Sequence, residues 1–321
     1  MLSRINSSLD LQKVMPLVIL VLMVAVLTTL NPRFLAPETL VNLMSQVSAI
    51  GVVAMGATFV IISGGIDFTS GNGIAMTGMA IAAVFVTTSG NVYAMVGIAI
   101  LSGMCLGLLN GFLIAKLRLL PFIATLAVML LVRGFSVLIN GGRMVMLLGS
   151  PLLWFGQGSI GPFPVSFIIY LIVSCLLYIL LNKTKFGIYV YAIGNNEDAA
   201  RYSGINVTRC KVFIYVLAGF CTGLAALLTV TRTVVITPGI SGSVLLDSIA
   251  AVIIGGTSLR GGVGNVFGTF IGVIIIVLIS IALTFLEITP EMQGVFKGGV
   301  ILVAVCFDAF VRGYSQEAAR A

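Results

Sequence analysis

"VFGTFIGVIIIVLISIALTFL", residues 266–286, contains no charged residue. An α-helix needs about 20 apolar residues to cross the hydrocarbon core of a bilayer, and this stretch is long enough. Its apolar positions are continuous, whereas the strands of a membrane barrel alternate between apolar and polar residues. The stretch therefore predicts a membrane-spanning helix.

The rest of the chain has the same apolar character. Of its 321 residues, 59% are hydrophobic and 8% are charged, and the mean hydropathy is +1.19. A soluble domain carries about 25% charged residues, so the surface of this protein must face mostly lipid. We expect an all-α polytopic membrane protein in which residues 1–321 form a single transmembrane domain. We interpret the net charge of +7 as cytosolic loop charge and not as a nucleic-acid site.

Ten apolar runs qualify, or nearly qualify, as membrane spans. They are Val14–Leu30, Val41–Ser63, Asn72–Thr87, Val92–Ala115, Phe122–Ile139, Val165–Leu181, Val212–Thr231, Leu245–Gly255, Val266–Leu286 and Met292–Val311. No small-residue cleavage signal follows the first run, so we expect it to be retained as a span. The five cysteines form no CxxC pair and four lie in apolar runs, so we expect no disulfides.

Ten crossings place both termini on the same side of the membrane. One set of connecting segments then holds twelve Lys and Arg residues, and the other holds only three. Because cytosolic loops are enriched in positive residues, we assign the first set and both termini to the cytosol. This assignment makes Asn182–Lys211 a cytosolic loop. It makes Gly141–Pro164, which contains the only tryptophan, an extracytoplasmic loop.

The cytosolic loop contains a polar stretch, "AIGNNEDAARYSGI" at residues 192–205, which predicts a short helix. Asn195 or Asn196 can cap its first turn, and acids favour the positive helix start. The predicted helix comprises Asn195, Asn196, Glu197, Asp198, Ala199, Ala200, Arg201, Tyr202, Ser203 and Gly204. A two-turn helix is not stable alone in water. Either a soluble partner holds it, or the segment is an ordinary solvated connector.

Two glycine-rich stretches interrupt apolar runs: "SGGIDFTSGNG" (63–73) and "GGTSLRGGVG" (255–264). Glycine weakens a helix, so the backbone is expected to bend or break in both. Freed backbone groups are tolerated only inside protein or beside a water-filled cavity. The first break is therefore either part of a gate or path, or a structural turn in which Asp67 caps the third helix.

Four motifs, in this order, resemble those of a known family. They are "SGGIDFTSG" (63–71), "LPFIATLAVMLLVRG" (120–134), "AIGNNEDAARYSGINVTRCK" (192–211) and "IAAVIIGGTSLRGGVGNVFGT" (249–269). They are similar to the permease subunits of ribose-type ABC sugar importers, within the group that includes branched-chain amino acid permeases. The similarity extends from about Asn31 to Asp308. The chain departs from the family pattern at Phe68-Thr69-Ser70, where Leu-Ser-Val is usual, and at Leu245, where an acid is common.

The resemblance implies a type II-like importer fold in the bacterial cytoplasmic (inner) membrane. It also implies three protein partners: a second permease copy or paralogue, a cytosolic ATPase subunit and an extracytoplasmic sugar-binding protein. In that family the segment matching Asn195–Gly204 is the coupling helix, which fits a groove on the ATPase. Candidates for the polar rim of this contact are Glu197, Asp198 and Arg201, and candidates for its apolar anchor are Tyr202 and Ile205.

We assign the translocation path or gate to Gly64, Gly65, Asp67, Asn72, Asp247, Gly255 and Gly256. Asp247 and Arg232 flank the same outer loop, so a contact between them is geometrically reasonable. Trp154 lies in the predicted outer loop, and we expect it at the membrane interface, where tryptophan is enriched. Alternatively, this loop is part of the platform that receives the binding protein.

The sequence also limits the source of energy. It has no GxxxxGK[ST] phosphate-binding loop and no histidine, so we expect no catalytic, metal or cofactor site on this chain. ATP and Mg²⁺ are expected on the partner ATPase. The favoured function is the membrane subunit of an ABC importer for a pentose or hexose. An ion-coupled secondary transporter of a small polar solute, or a channel, would also have ten spans and broken helices.

Overall fold

The computed structural model describes residues 16–29, 32–240, 243–289, 292–300 and 302. Helices make up most of it. They are α1 (Pro16–Thr29), α2 (Pro37–Ile62), α3 (Thr69–Thr87), α4 (Val92–Ala115), α5 (Pro121–Leu138), α6 (Trp154–Gln157), α7 (Val165–Lys183), α8 (Lys185–Asn195), α9 (Glu197–Tyr202), α10 (Val207–Thr233), α11 (Val244–Ile254) and α12 (Val266–Phe285). Residues 292–300 are also helical.

The described strands are short and lie in the connections. They are β1 (Val145–Met146), β2 (Ser159–Ile160), β3 (Phe163–Pro164) and β4 (Val235–Ile236). β1 pairs antiparallel with β4, and β2 pairs antiparallel with β3. The first pair ties the long loop after α5 to the segment after α10.

Seven of the predicted spans coincide with helices that are long and apolar enough to cross a membrane. The predicted first and eighth spans correspond to α1 and α11, which are helical but shorter. Most of the predicted tenth span, Met292–Val311, lies outside the described residues, and 292–300 within it is helical. The structure is therefore that of a polytopic helical membrane protein, and the count of ten crossings stays a prediction.

The centre of the bundle is α10, which packs most closely on α4. The two helices run antiparallel, and their glycines bring the backbones into contact. A Cβ built on Gly103 would lie 2.6 Å from the amide nitrogen of Gly223, and one built on Gly219 would lie 2.9 Å from the Cα of Gly107. Membrane helices gain much of their association energy from such close packing of small residues.

The long helix α10 defines two ends of the bundle. At its start, the Glu197 carboxylate of α9 pairs with Lys211, and a Cβ on Gly111 at the end of α4 would lie 2.9 Å from the Cα of Val212. At the C-terminal end of α10, a Cβ on Gly156 in α6 would lie 2.5 Å from the amide nitrogen of Arg232. We call these the α9 end and the α6 end. The loops predicted to be cytosolic and extracytoplasmic, 182–211 and 141–164, lie at opposite ends.

Candidate docking helix and translocation path

The polar stretch folds into two helices, whereas one was predicted. Asn196 lies in the extended region (φ −160°, ψ 108°), and its side chain accepts the N–H of Ala199 at 2.9 Å. An extended residue interrupts a helix, so Asn195 closes α8 and only Glu197–Tyr202 form α9. Asn196 is thus the cap, and the inclusion of Asn195 in the short helix was wrong. Gly204, with φ +84°, follows the end of α9 as predicted.

The chain itself holds α9 in place. The Glu197 carboxylate pairs with Lys211 on α10 and, at 3.1 Å, with Arg201 one turn later. Ala200 is buried against the body of the protein. Intramolecular contacts therefore hold α9 in place, and the binding of a soluble partner to it stays a prediction. Glu197 thus serves as an internal anchor while its side chain stays 40% exposed, and its place at the rim of a contact stays a prediction.

The opposite face of α9 is open. Tyr202 is 91% exposed, and Asp198, Ala199, Ser203 and Gly204 are exposed with it. Ile205, the other predicted anchor, packs against the chain's own core. Only Tyr202 remains as an apolar anchor for a partner.

A cleft of about 230 Å³ lies between α9 and the α4–α5 turn. Its lining includes Arg118, Leu119, Leu120, Glu197, Arg201 and Lys211. Two of its cations are engaged by Glu197, whereas Leu120 is 67% exposed. The Glu197 and Arg201 side of α9 thus borders an exposed, partly apolar turn.

The first glycine break separates α2 from α3. Gly64 is exposed and has φ +81°, and a Cβ on Gly65 would lie 2.5 Å from the hydroxyl of Tyr215. The Asp67 carboxylate accepts the backbone N–H of Thr69 at 2.8 Å, at the start of α3. This contact fits the alternative in which Asp67 caps the third helix. A role of the break in the path stays a prediction.

A polar cluster that the sequence reasoning missed surrounds Asp67. Asn110 of α4 is buried, and its amide donates to Thr69 Oγ1 at 2.8 Å and to Asp67 Oδ1 at 3.4 Å. Thr125 of α5 donates to the carbonyl of Ile66 at 3.2 Å. The signal in the sequence was Asn110 itself, a lone amide inside an apolar run.

The predicted path residue Asn72 binds a neighbouring helix. Its side-chain amide donates to the carbonyl of Met129 on α5 at 3.3 Å. Gly255 is also a packing position, because a Cβ there would lie 2.5 Å from the carbonyl carbon of Gly268 on α12. Gly256 follows with φ +86° and turns the chain away from α11.

The two breaks meet at the α9 end. The N–H of Gly262, in the second break, donates to the carbonyl of Ile62 at 2.8 Å. Tyr191 of α8 donates its hydroxyl to the carbonyl of Gly264 at 2.7 Å. Burial raises the pKa of Tyr191, which keeps this phenol in its neutral, donating form. The structure therefore brings together the predicted helix and both predicted breaks.

Asp247 lies near the start of α11, two residues after Leu245, which packs against Gly71 of the first glycine-rich stretch. Its carboxylate accepts from Ser243 at 2.6 Å and pairs with Lys297 at 3.0 Å. The predicted Asp247–Arg232 contact was wrong, because Arg232 donates to the side chain of Asn42 at 3.0 Å. Two residues that flank one loop need not face each other, and here each finds a partner on a different helix.

The apolar spans define a multi-pass membrane protein, and comparison with known proteins gives its family. The chain belongs to the family described as the permease component of branched-chain amino acid transport systems, whose model matches residues 39–305. It lies in the bacterial cytoplasmic membrane as a multi-pass protein.

Relatives match over nearly the whole chain. The ribose import permease protein RbsC of Bacillus subtilis (strain 168) is 41% identical, over 95% of this chain and 95% of its own length. RbsC of Escherichia coli (strain K12) is 37% identical, over 91% and 92%. The galactose/methyl galactoside import permease protein MglC of Haemophilus influenzae is 33% identical, over 95% and 96%. No solved structure matches the chain.

Proposed function

We propose that this chain is the transmembrane subunit of an ABC importer and that it forms the path for a small sugar, a pentose or a hexose. The observation that carries the proposal is α9, a short helix anchored on its own chain by Glu197–Lys211 with Tyr202 fully presented outward. A helix held in this way is suited to transmit force from a soluble partner. The import permeases for ribose and galactose among its relatives support a sugar as cargo.

The α9 end faces the cytosol in this proposal, with both termini on that side and ten crossings in all. The loop 182–211 is the docking loop, and its partner is a cytosolic ATPase subunit that carries ATP and Mg²⁺. The loop 141–164 at the other end faces the extracytoplasmic binding protein. The distribution of Lys and Arg between the two sets of loops supports this orientation.

A second copy of the permease, or a paralogue, completes the path. Arg133 lies within the apolar helix α5 on an exposed face, and no acid among the described residues pairs with it. Exposing arginine to the middle of a bilayer costs about 2.5–3.5 kcal/mol on insertion scales. A dimer whose partner or water-filled path covers this face removes that cost.

The path at the cytosolic side passes the two breaks, with Gly64, Gly65, Asp67, Asn72, Gly255 and Gly256 along it. The partly buried Asp67 carboxylate offers hydrogen-bond acceptors suited to a hydroxyl-rich solute. Asp247 lies at the opposite end of α11, toward the outer mouth. An ion-coupled transporter remains the alternative, but it gives no reason for an anchored, outward-facing α9.

A matched pair of tyrosines tests the docking assignment. Tyr202 is 91% exposed on α9, and Tyr93 is 90% exposed at the start of α4. Truncating an aromatic anchor costs about 2 kcal/mol or more, so Tyr202→Ala should weaken binding of the ATPase subunit about 30-fold in detergent. Tyr93→Ala should leave binding unchanged. Equal affinities for the two variants would rule out α9 as the docking site.

The anchor under α9 provides a second arm of this test. Lys211→Ala removes the α10 partner of Glu197 and should weaken ATPase binding by up to about fivefold, because a partly exposed ion pair contributes about 1 kcal/mol or less. The charge-swapped pair Glu197→Lys with Lys211→Glu should recover part of this loss.

A further inference from the structure

Three chain segments meet at the α9 end through backbone contacts. They are the end of α2 at 62–64, the end of α8 at 194–195, and residues 261–264 of the turn between α11 and α12. We call this meeting point the glycine junction. The N–H of Gly262 donates to the carbonyl of Ile62 at 2.8 Å, and the Tyr191 hydroxyl donates to the carbonyl of Gly264 at 2.7 Å.

Gly194 allows the closest approach in the junction. A Cβ there would overlap the carbonyl oxygen of Ile62 and would lie 2.6 Å from the amide nitrogen of Gly262. Both neighbours are backbone atoms, so they cannot rotate away as a side chain could. Any larger residue at position 194 must separate α8 from α2 or from the second break.

Gly261 makes the third contact and needs its own backbone freedom. Its φ is +85°, and a Cβ there would lie 2.9 Å from the carbonyl oxygen of Gly194 and 3.0 Å from the Cα of Gly64. An L side chain would be both strained and crowded at this position. The three segments are therefore in direct backbone contact at Gly194 and Gly261, and the Asn195 side chain packs against Gly262 beside them.

The junction is joined to α9 by a very short connection. Asn196 is the single residue between α8 and α9. The other end of this connection is fixed, because Glu197 pairs with Lys211 on α10. Closely packed backbones transmit a displacement instead of absorbing it, since such contacts are not continuously deformable.

We propose that the glycine junction is a positioning element that makes both breaks move with α9, and that Gly194 is its essential residue. This rests on the proposed function, in which an ATPase moves α9 and the breaks border the path. When α9 shifts, the end of α8 carries Ile62 and Gly261 with it. The segment that holds Asp67 begins directly after this contact, so the polar cluster is displaced in the same step.

The experiment measures movement at the first break in the complex with its ATPase subunit. All five native cysteines are replaced by alanine, and Ile66→Cys is introduced. Its rate of reaction with a polar thiol reagent is compared between the nucleotide-free and the nucleotide-trapped complex. The parent should show a rate difference between the two states. Gly194→Ala should still bind the ATPase and hydrolyse ATP, but the rate difference and sugar uptake should fall by about fivefold or more, the size of a typical coupling.

Two variants control for damage to the fold. Gly97→Ala places a methyl group on α4 where no heavy atom lies within 4 Å, and it should behave as the parent. Tyr191→Phe removes only the hydroxyl that binds Gly264, and it should reduce the rate difference to a lesser extent than Gly194→Ala.

The outcomes separate the two proposals. If the parent shows no nucleotide-dependent rate difference, the path assignment fails and the role of the junction fails with it. If the parent responds and Gly194→Ala responds equally with normal uptake, the junction proposal alone is overturned. If Gly194→Ala does not fold, Tyr191→Phe decides: a full response with normal uptake overturns the proposal, and a reduced response supports it.

Discussion

Asp247 and Lys297 form a buried ion pair in a chain with few intramembrane charges. Their side chains are 4% and 13% exposed, and Ser243 donates a further hydrogen bond to the same carboxylate oxygen. Removing one partner of such a pair leaves an uncompensated buried charge, whereas replacing both by apolar residues is often nearly neutral. The pair joins α11 to the helical residues 292–300.

The loss of one partner of this pair should therefore destabilise the protein more than the replacement of both. Asp247→Leu should lower the free energy of unfolding by about 3–5 kcal/mol, because Lys297 is left unpaired. The double variant Asp247→Leu with Lys297→Met should recover most of this loss. Thermal unfolding in detergent measures both. If the double variant is as unstable as the sum of its single changes, the two residues do not interact.

The partner of Asp247 is an example of what the sequence alone does not determine. The charge and its need for a partner could be read from the sequence, but the choice between Arg232 and Lys297 could not. That choice depends on which side of α11 faces residues 292–300, and this is a matter of tertiary packing. The same holds for Asn110, whose partners Asp67 and Thr69 lie in the first break and at the start of α3.

At the scale of elements, the spans were predictable and the connections were less so. In lipid, an apolar run almost fixes a helix, because backbone groups must be paired within the segment. The predicted run Val266–Leu286 accordingly differs from α12 by one residue. Helix α8 was missed, because its sequence reads as part of a loop and its contacts with Ile62 and Gly264 are distant in the chain.

The contact of α4 with α10 gives a prediction at this scale. Gly219→Leu should destabilise the protein by about 1–3 kcal/mol or more, because its side chain must displace the backbone of α4 at Gly103 and Gly107. Gly97→Leu is the control, since no heavy atom lies within 4 Å of a Cβ at that position in α4. Denaturation in detergent should separate the two variants, and equal midpoints would contradict the packing described.

In the molecule as a whole, the segments that move in the proposed mechanism lie at one end of the bundle. The open face of α9, the glycine junction and the polar cluster around Asp67 all lie at the α9 end, whereas the loop 141–164 lies at the other. An energy-coupling partner can then act at one end while solute arrives at the other. The sequence indicated α9 and the two glycine breaks separately, and only the fold shows that both breaks meet the end of α8.

The central claim is that transport by this chain is driven by a separate ATPase and not by an ion gradient. The decisive measurement is uphill sugar uptake into vesicles, with the permease alone under an imposed proton or sodium gradient, and with the ATPase subunit, ATP and sugar-loaded binding protein present but no gradient. The binding protein should be required, because a ligand shifts a conformational equilibrium only through its different affinity for the two states. We expect sugar to accumulate in the vesicles with ATPase, ATP and binding protein, and not in those with the permease alone under an ion gradient. Robust accumulation by the permease alone on an ion gradient would contradict this claim.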